Sequence, residues 1–238
     1  MEELQVLARA TGPRGEVVLR RRGRGDVAVD ELIVNGAFAM DSEETSSERN
    51  LARLAYELGP DGGRMLVGGL GLGYTTNESL QLPVGRIDVV EIEEILVRWA
   101  DDGVTPVLAR LRAEPRVNLV VGDVATVLAA APEQSYDAVA LDVDNGPDFL
   151  IHPANATLYT PGFLRLAHSR LAPGGRLAIW CQGASPQLLR ALLSIAPTAR
   201  ENLYAVNRGR RQLRYAIYTL DRPLTWPHPA DPRAGGPE

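Results

Sequence analysis

The 238-residue sequence predicts a doubly wound α/β fold, with a mostly parallel seven-stranded sheet and a small N-terminal antiparallel β region. Three observations support this prediction. From Arg64 onward, apolar runs alternate with amphipathic segments, which is typical of parallel strands joined by helices. A glycine-rich run at 66–75 lies between the first strand and its helix. Two β-type runs, 201–207 and 213–220, flank a basic turn and indicate a closing antiparallel hairpin.

The first forty residues predict the small antiparallel sheet. The runs GEVVLRRR, DVAVDELIV and GAFAM are separated by Gly, Asp and Asn turn signals. The basic cluster at 20–25 could bind an anion, but a solvated edge explains it better and we assign it no function. A helix follows, because apolar residues recur at helical spacing and Thr45 and Glu48 have capping-box spacing.

The remaining elements follow in order along the chain. The predicted strands are MLVG, IDVVEI, VNLVV, YDAVALDV and GRLAIWC, followed by the two strands of the hairpin. Helices are expected through the 70s, at EEILVRWADD, and near 124–130, 161–171 and 186–195. Strands buried on both faces and linked by helices imply a parallel sheet with right-handed crossovers. The closing hairpin favours a methyltransferase-type sheet over a dinucleotide-dehydrogenase one.

Composition and charge exclude several classes of protein. The chain is 45% hydrophobic and 23% charged, which is ordinary for a globular protein, and its formal charge of −5 disfavours nucleic acid as a partner. The N-terminus lacks a signal-peptide pattern and no run is long enough to span a membrane, so we predict a cytoplasmic protein without a membrane partner. The single cysteine, Cys181, excludes an intrachain disulfide, and the three histidines show no ligand spacing with it. We predict no metal.

The glycine-rich run and the strand after it predict a nucleoside site. Ligands of open parallel sheets bind beyond the carboxyl ends of the strands, where strand order reverses. The cofactor-binding candidates in the run are its four glycines: Gly68, Gly69, Gly71 and Gly73. Glu91 follows about twenty residues later at a strand end, where a carboxylate can accept hydrogen bonds from both ribose hydroxyls.

Asp123 at the third strand end indicates which nucleoside ligand is expected. Its carboxylate is suited to accept from an adenine amino group, although Asp also fits a helix N-cap and both roles can hold together. A nicotinamide cofactor would use the first two features equally well. The third acidic strand end and the closing hairpin instead favour an adenosyl sulfonium, S-adenosylmethionine or a relative.

The segment LDVDNGP at 141–147 ends the fourth strand beside the expected reactive part of that ligand. Asp142 can orient or deprotonate an incoming amine, and Asp144 can hold a cationic group, so both are predicted catalytic residues. The alternative is structural, with Asp142 capping the loop and Asp144 opening a turn. Substrate-binding candidates nearby are Asn145, His152 and Tyr159. His152 could serve as a general base, or could be a surface residue before a proline.

These residues resemble the polyamine aminopropyltransferases, of which spermidine synthase is the type. The resemblance is carried by LVGG, VEIE, an acidic GD, YDAVALD with a following Gly-Pro, LY, and a late strand ending in CQG, in that order over about 150 residues. It implies a ribose ligand at Glu91, an adenine ligand at Asp123, a catalytic base at Asp142, and a place for Gln182 near the pocket. It also implies a homo-oligomer, a dimer or tetramer, and a lid at 43–48.

The sequence departs from this family at the acceptor side. Its glycine loop, GGLGLG, lacks the acidic residue that holds the amino group of the donor's propylamine tail in the family. The Gln and Tyr of the family's polyamine channel are absent, and the Asp-Ser-Ser-Asp-Pro pattern is shortened. The acceptor and the donor, S-adenosylmethionine or its decarboxylated form, therefore both stay open.

The expected organisation and function follow from these observations. Residues 1–45 form the small β region, 46–222 the Rossmann-like domain that binds the adenosyl sulfonium, and 223–238 a proline-rich flexible tail. The predicted function is a spermidine synthase-like transfer of an aminopropyl or methyl group to a small amine. The alternative is a catalytically inactive nucleoside-binding or scaffold protein of the same fold.

Overall fold

The computed structural model describes residues 4–208 and 211–224, which form two sheets and seven α-helices. The strands are β1 Leu4–Gly12, β2 Gly15–Arg22, β3 Val29–Val34, β4 Ala37–Asp41, β5 Gly63–Gly68, β6 Val84–Glu91, β7 Val117–Val121, β8 Tyr136–Leu141, β9 Leu171–Cys181, β10 Arg200–Arg208 and β11 Arg211–Asp221. The helices are α1 Ser46–Tyr56, α2 Tyr74–Ser79, α3 Glu94–Asp101, α4 Pro106–Ala113, α5 Val124–Ala130, α6 Pro161–Ser169 and α7 Pro186–Leu193. Short 3-10 helices cover Gly25–Val27 and Pro153–Tyr159.

The N-terminal sheet is antiparallel, as predicted, with the order β1-β2-β3-β4. Strand β1 was not predicted, because its sequence LQVLARATG is rich in Ala and has mostly partly buried or exposed positions. The basic cluster contributes cross-strand ion pairs: Arg20 lies opposite Glu31, and Arg21 lies opposite Asp30, with Nε to carboxylate distances of 2.7 and 2.6 Å. These pairs fix the β2–β3 register.

Helix α1 forms where the apolar spacing predicts it, but the predicted capping box is wrong. Thr45 precedes the helix with φ −122° and ψ 10°, and its side chain makes no capping hydrogen bond. The Glu48 carboxylate instead accepts a hydrogen bond of 2.7 Å from the Ser47 hydroxyl and is buried. The spacing of the motif is therefore present without its geometry.

The second sheet has seven strands in the order β10-β11-β9-β8-β5-β6-β7. Strands β5 to β9 pair in parallel, and the β10–β11 hairpin adds antiparallel to β9, which confirms the mostly parallel sheet and its closing hairpin. Helix α4 was missed because its apolar residues form only a narrow face, of which Leu108 and Leu111 are buried. Its start nevertheless carries clear signals, a Pro at 106 and the Thr105 hydroxyl accepting from the Leu108 N–H.

The two sheets share an apolar core on one face of the large sheet. Leu19 of β2 and Leu32 of β3 belong to the same buried cluster as Leu51 of α1 and Met65 and Val67 of β5. A second buried cluster fills the opposite face, beneath α5, α6 and α7. The predicted boundary between 1–45 and 46–222 therefore coincides with no break in the core, and it stays a prediction.

Two predictions from the sequence concern the C-terminal tail and membrane-spanning segments. The predicted flexible tail, 223–238, lies outside the described residues beyond Leu224. Within the described ranges, every helix is too short or too polar to cross a bilayer.

Replacement of Leu19 tests the shared core. Leu19 is fully buried, so Leu19→Ala should lower the free energy of unfolding by about 2–5 kcal/mol. Because the core is continuous, urea denaturation should give one coincident transition by circular dichroism and tryptophan fluorescence. Leu4→Ala, the same substitution at an exposed position of β1, is the control and should have little effect. Two separate transitions would show that the N-terminal sheet is an independent unit.

Candidate active site

A cavity of about 190 Å³ opens at the carboxyl ends of the central parallel strands. Its floor comes from the segments after β5, β6, β7 and β8, which is where strand order reverses on either side of β5. Its roof comes from the N-terminal sheet and the start of α1. The roof residues are Arg14, Leu32, Val34, Asn35, Ala39, Met40 and Glu48.

The cavity brings together eight of the predicted site residues. They are Gly69, Gly71, Glu91, Asp123, Asp142, Asp144, Asn145 and His152. The other four predicted residues are not among those that line it. Gly68 packs against side chains of α5 and of the end of β8, Gly73 packs against α4, Tyr159 is buried and Gln182 is exposed. The functional roles of all twelve stay predictions.

Gly69 holds the glycine loop against the neighbouring strand ends. Its φ is +95°, and a Cβ atom there would lie 1.9 Å from the Asp142 carbonyl oxygen. Its N–H donates to the Val90 carbonyl at 2.8 Å. The loop is thus fixed between the ends of β6 and β8, and a side chain at this position is sterically excluded.

The N-terminal sheet covers the other side of the loop. Met40 of β4 lies over Gly71, where a Cβ atom would be 2.6 Å from the Met40 sulfur, and the Leu72 N–H points at the same sulfur at 3.3 Å. The N–H groups of Gly69 and Leu70 donate to Val90 and Glu91, and that of Gly73 donates back to the Leu70 carbonyl. Four N–H groups of the loop are therefore committed within the protein and are not available to an anion.

Glu91 ends β6 at the rim of the cavity and is buried. One carboxylate oxygen accepts from the Leu70 N–H at 2.7 Å and the other from the Glu93 N–H at 2.8 Å. Burial raises the pKa of Glu91 above its ordinary value, against the effect of these hydrogen bonds. A carboxylate has four acceptor positions, so Glu91 can still accept from a ligand hydroxyl beside its backbone donors at Leu70, Gly71 and Glu93.

Asp123 is a helix N-cap, as predicted, and also lines the cavity. It precedes α5, and its carboxylate accepts from the Ala125 N–H at 2.8 Å as an N-cap. The residue is exposed at the cavity wall. The cap and the predicted contact with a ligand are therefore compatible.

Asp142 is held by a partner that sequence reasoning missed. The Thr75 hydroxyl, at the start of α2, donates a hydrogen bond of 2.6 Å to the Asp142 carboxylate. Burial raises the pKa of Asp142 to about 6, and the Thr75 hydrogen bond partly opposes that shift. The only signal for Thr75 in the sequence was its polar side chain in the helix that follows the glycine loop. The sequence alone does not show that the first turn of α2 lies opposite the end of β8.

Asp144 has a clear structural role. Its buried carboxylate accepts from the N–H groups of Asn145, Ile151 and His152 and from the Asn155 side-chain amide, at 2.7 to 3.3 Å. These four donors fold the loop after β8 around it. The predicted cation-holding role would have to share this carboxylate with the loop.

The remaining acceptor-side candidates are His152, Tyr159 and Gln182, and each has different surroundings. His152 Nδ1 accepts from the Ala154 N–H at 3.3 Å, so its neutral ring carries the proton on Nε2, which disfavours the general-base role. Burial raises the pKa of the Tyr159 hydroxyl well above its ordinary value. Gln182 contributes its backbone, because its N–H donates to the Asn145 carbonyl at 2.9 Å and ties β9 to the loop.

Two turns of the N-terminal sheet meet at the cavity mouth. The Arg14 guanidinium, between β1 and β2, pairs with Glu93 at 3.1 Å. The Asn35 side chain, at the β3–β4 turn, donates to the Arg14 carbonyl and accepts from the Glu16 N–H. The Asn-Gly turn at 35–36 was visible in the sequence, but its distance from β6 was not.

Comparison with known proteins agrees with this geometry. No family model matches the chain. The chain is 33% identical over 196 residues to a polyamine aminopropyltransferase of Mycobacterium tuberculosis, covering 80% of this chain and 35% of that protein. It is 34% identical over 168 residues to polyamine aminopropyltransferase 2 of Streptomyces coelicolor, covering 69% and 29%. Putrescine N-methyltransferase 2 of Nicotiana tabacum is 36% identical over 117 residues, covering 49% and 31%. The chain spans about a third of the length of these relatives.

Solved structures identify the fold. A spermidine synthase in complex with the transition state analogue AdoDATO superposes with a TM-score of 0.79 at 14% identity, over 93% of this chain and 75% of that one. The spermidine synthase of Thermotoga maritima gives a TM-score of 0.75 at 14% identity, over 93% and 73%. The chain thus has the methyltransferase-like α/β fold with an added N-terminal sheet. Together with the sequence relatives, these matches support its membership of the spermidine synthase-like family.

Gly69 provides a test of the close approach at the loop. Gly69→Ala should lower the free energy of unfolding by more than about 2 kcal/mol, since it adds a clash to the strain of positive φ. Gly36→Ala is the matched control, because Gly36 also has positive φ but no atom near its would-be Cβ, and should cost only about 1 kcal/mol. Urea denaturation measures both, and equal losses would contradict the tight loop.

The raised pKa of Asp142 predicts a pH-dependent stability. The folded state holds this proton more tightly than the unfolded state, so the stabilisation is complete below about pH 4 and is lost as the pH rises through about 6. Asp142→Asn lacks the titrating group. Between pH 4 and 7 its free energy of unfolding should therefore gain about 2–3 kcal/mol relative to the unsubstituted protein.

Urea denaturation across this pH range measures the effect. Asp102→Asn, at an exposed position that does not line the cavity, is the control. A parallel pH dependence for Asp142→Asn and the unsubstituted protein would show that Asp142 has no raised pKa.

Proposed function

We propose that the chain binds an adenosyl sulfonium, S-adenosylmethionine or its decarboxylated form, and transfers an alkyl group to a small amine. The observation that carries this proposal is the shared rim on which Glu91, Asp123 and Asp142 surround the glycine loop. Relatives named for methyl transfer to putrescine and for aminopropyl transfer support the same reaction class.

The chain's residues fit the nucleoside part of such a donor. Glu91 presents an oriented carboxylate to the two ribose hydroxyls, and Asp123 lies one strand further along for the adenine amino group. Gly69 packs against the Asp142 backbone and so holds the glycine loop at the strand ends. Apolar residues complete the wall for a flat base; they are Val90, Ile92, Leu96 and Val124.

Asp142 is the proposed base of the transfer. A sulfonium supplies an activated carbon, whose bond to sulfur breaks as the sulfur leaves as a neutral thioether. Attack requires an amine with a free lone pair, so the new N–C bond forms while a proton leaves the nitrogen. Asp142, oriented by Thr75, accepts that proton, and its pKa of about 6 keeps it largely ionised at neutral pH while still basic enough to act.

The electrostatics of the cavity favour the decarboxylated donor over S-adenosylmethionine. Six carboxylates line the cavity, and the arginine among the lining residues, Arg14, is paired with Glu93. Four loop N–H groups, those of Gly69, Leu70, Leu72 and Gly73, are committed within the protein and cannot hold a donor carboxylate. A donor without a carboxylate, and a cationic amine acceptor, complement this charge.

The second candidate function is nucleoside binding without turnover. It is supported by Asp144, whose four hydrogen-bond donors come from its own loop, and by the positions of Tyr159 and Gln182 outside the lining. A homo-oligomeric state, a cytoplasmic location, and the absence of metal, nucleic-acid and membrane partners stay predictions.

A transfer assay separates the two functions. The protein is incubated with each donor and a panel of aliphatic diamines, and release of the adenosyl thioether is followed by mass spectrometry. Turnover should occur with at least one pair and fall by about 10²–10⁴-fold in Asp142→Asn, with Asp102→Asn as the control. Binding of the donor with no release from any pair would favour nucleoside binding without turnover. Equal release from Asp142→Asn would show that Asp142 is not the base.

A further inference from the structure

Arg14 reaches the floor of the cavity from its roof. It lies in the turn between β1 and β2, and its Nε donates to the Glu93 carboxylate at 3.1 Å. These two side chains are only 22% and 12% exposed, whereas those of the nearby pair Arg9–Glu16 are 59% and 45% exposed and 3.7 Å apart. An ion pair shielded from water keeps more of its attraction than an exposed one. Arg14 therefore makes a defined contact between the roof and the segment after β6.

The backbone of Arg14 is held by the neighbouring turn. The Asn35 side-chain amide donates to the Arg14 carbonyl at 2.9 Å, and its oxygen accepts from the Glu16 N–H at 3.0 Å. The Asn35 N–H also donates to the Glu16 carbonyl at 2.8 Å. These three hydrogen bonds join the β1–β2 turn to the β3–β4 turn, so the guanidinium extends from an anchored backbone.

Glu93 connects this contact to the proposed ribose ligand. Its N–H donates to the Glu91 carboxylate at 2.8 Å, so the position of Glu93 helps to orient that carboxylate. Glu93 directly precedes α3, but its side chain makes no capping hydrogen bond to the helix. Helix capping therefore does not explain the direction of the Glu93 side chain, whereas its pairing with Arg14 does.

The charge of Glu93 also acts on Glu91. Burial raises the pKa of Glu91, and the nearby negative charge of Glu93 raises it further. Two neighbouring carboxylates repel each other unless a cation compensates them, and Arg14 supplies that cation. Without Arg14, this repulsion favours displacement of Glu93, whose N–H orients Glu91.

We propose that Arg14 is a positioning residue for the donor nucleoside: by pairing with Glu93, it holds residues 91–93 in the arrangement in which Glu91 receives the ribose. This inference rests on the proposed function and deepens it, because it assigns a residue of the N-terminal sheet to donor binding. The alternative is that the pair only attaches the roof to the large sheet. Substitution lowers the free energy of unfolding in both cases, but only the positioning role links nucleoside affinity to the ion pair.

A double-mutant cycle on nucleoside binding tests the proposal. Isothermal titration calorimetry measures 5′-methylthioadenosine binding to Arg14→Gln, Glu93→Gln and the double variant. Each single substitution should weaken binding by about tenfold. The double variant should bind no more weakly than the weaker single variant, because both substitutions remove the same interaction. Arg14→Lys should bind within about threefold of the unsubstituted protein, since a lysine ammonium can reach the position of Nε.

Arg9→Gln is the matched control, because it removes the same charge from the same hairpin at an exposed position that does not line the cavity. Its affinity for 5′-methylthioadenosine should stay within about twofold of the unsubstituted protein. In the transfer assay, Arg14→Gln should raise the KM for the donor by about tenfold. It should leave kcat at saturating donor and the KM for the amine within about twofold, which a general loss of structure would not do.

Unchanged nucleoside affinity in folded Arg14→Gln would overturn the positioning role, while binding to the unsubstituted protein would leave the proposed nucleoside site standing. Additive losses in the double variant, equal weakening by Arg9→Gln, or Arg14→Lys binding as weakly as Arg14→Gln would overturn it too. Circular dichroism checks that each variant is folded, and Glu93→Gln with Arg14→Lys decides the outcome if Arg14→Gln is not. If the unsubstituted protein binds neither 5′-methylthioadenosine nor either donor, the proposed function fails and the positioning role fails with it.

Discussion

The close packing of Gly69 between β6 and β8 is the constraint on which the site depends. Its N–H binds the end of β6, and its Cα lies against the Asp142 carbonyl at the end of β8. This packing brings the carboxyl ends of neighbouring strands to one rim, so that Glu91 and Asp142 face a common cavity. The sheet holds the loop in place, and the loop in turn fixes the positions of Glu91 and Asp142.

The N-terminal sheet covers this rim and forms the roof of the cavity. Met40 covers the glycine loop, and Arg14 joins the β1–β2 turn to Glu93 beside the nucleoside end. Glu91 and Asp142 are desolvated by the protein around them, and this burial raises the pKa of both. A cavity with several desolvated acids binds cations most readily, and the sulfonium and amine of the proposed reaction are both cationic.

Much of the fold could be predicted from the sequence because its signals are local. Apolar strands, amphipathic helices and the Gly-rich turn fixed seven strands and their closing hairpin, and parallel strands place their carboxyl ends together. Prediction failed where the signal was weak or long-range. Strand β1 has a poor β pattern, Thr45 and Glu48 have motif spacing without its geometry, and the contact between Thr75 and Asp142 joins residues 67 positions apart.

The central claim is that these strand ends form one nucleoside site, and a crystal structure with 5′-methylthioadenosine tests it most directly. The account predicts ribose hydroxyls on the Glu91 carboxylate, adenine beside Asp123 and the sulfur directed towards Asp142. A nucleoside bound away from the glycine loop, or bound there with the sulfur turned away from Asp142, would contradict it.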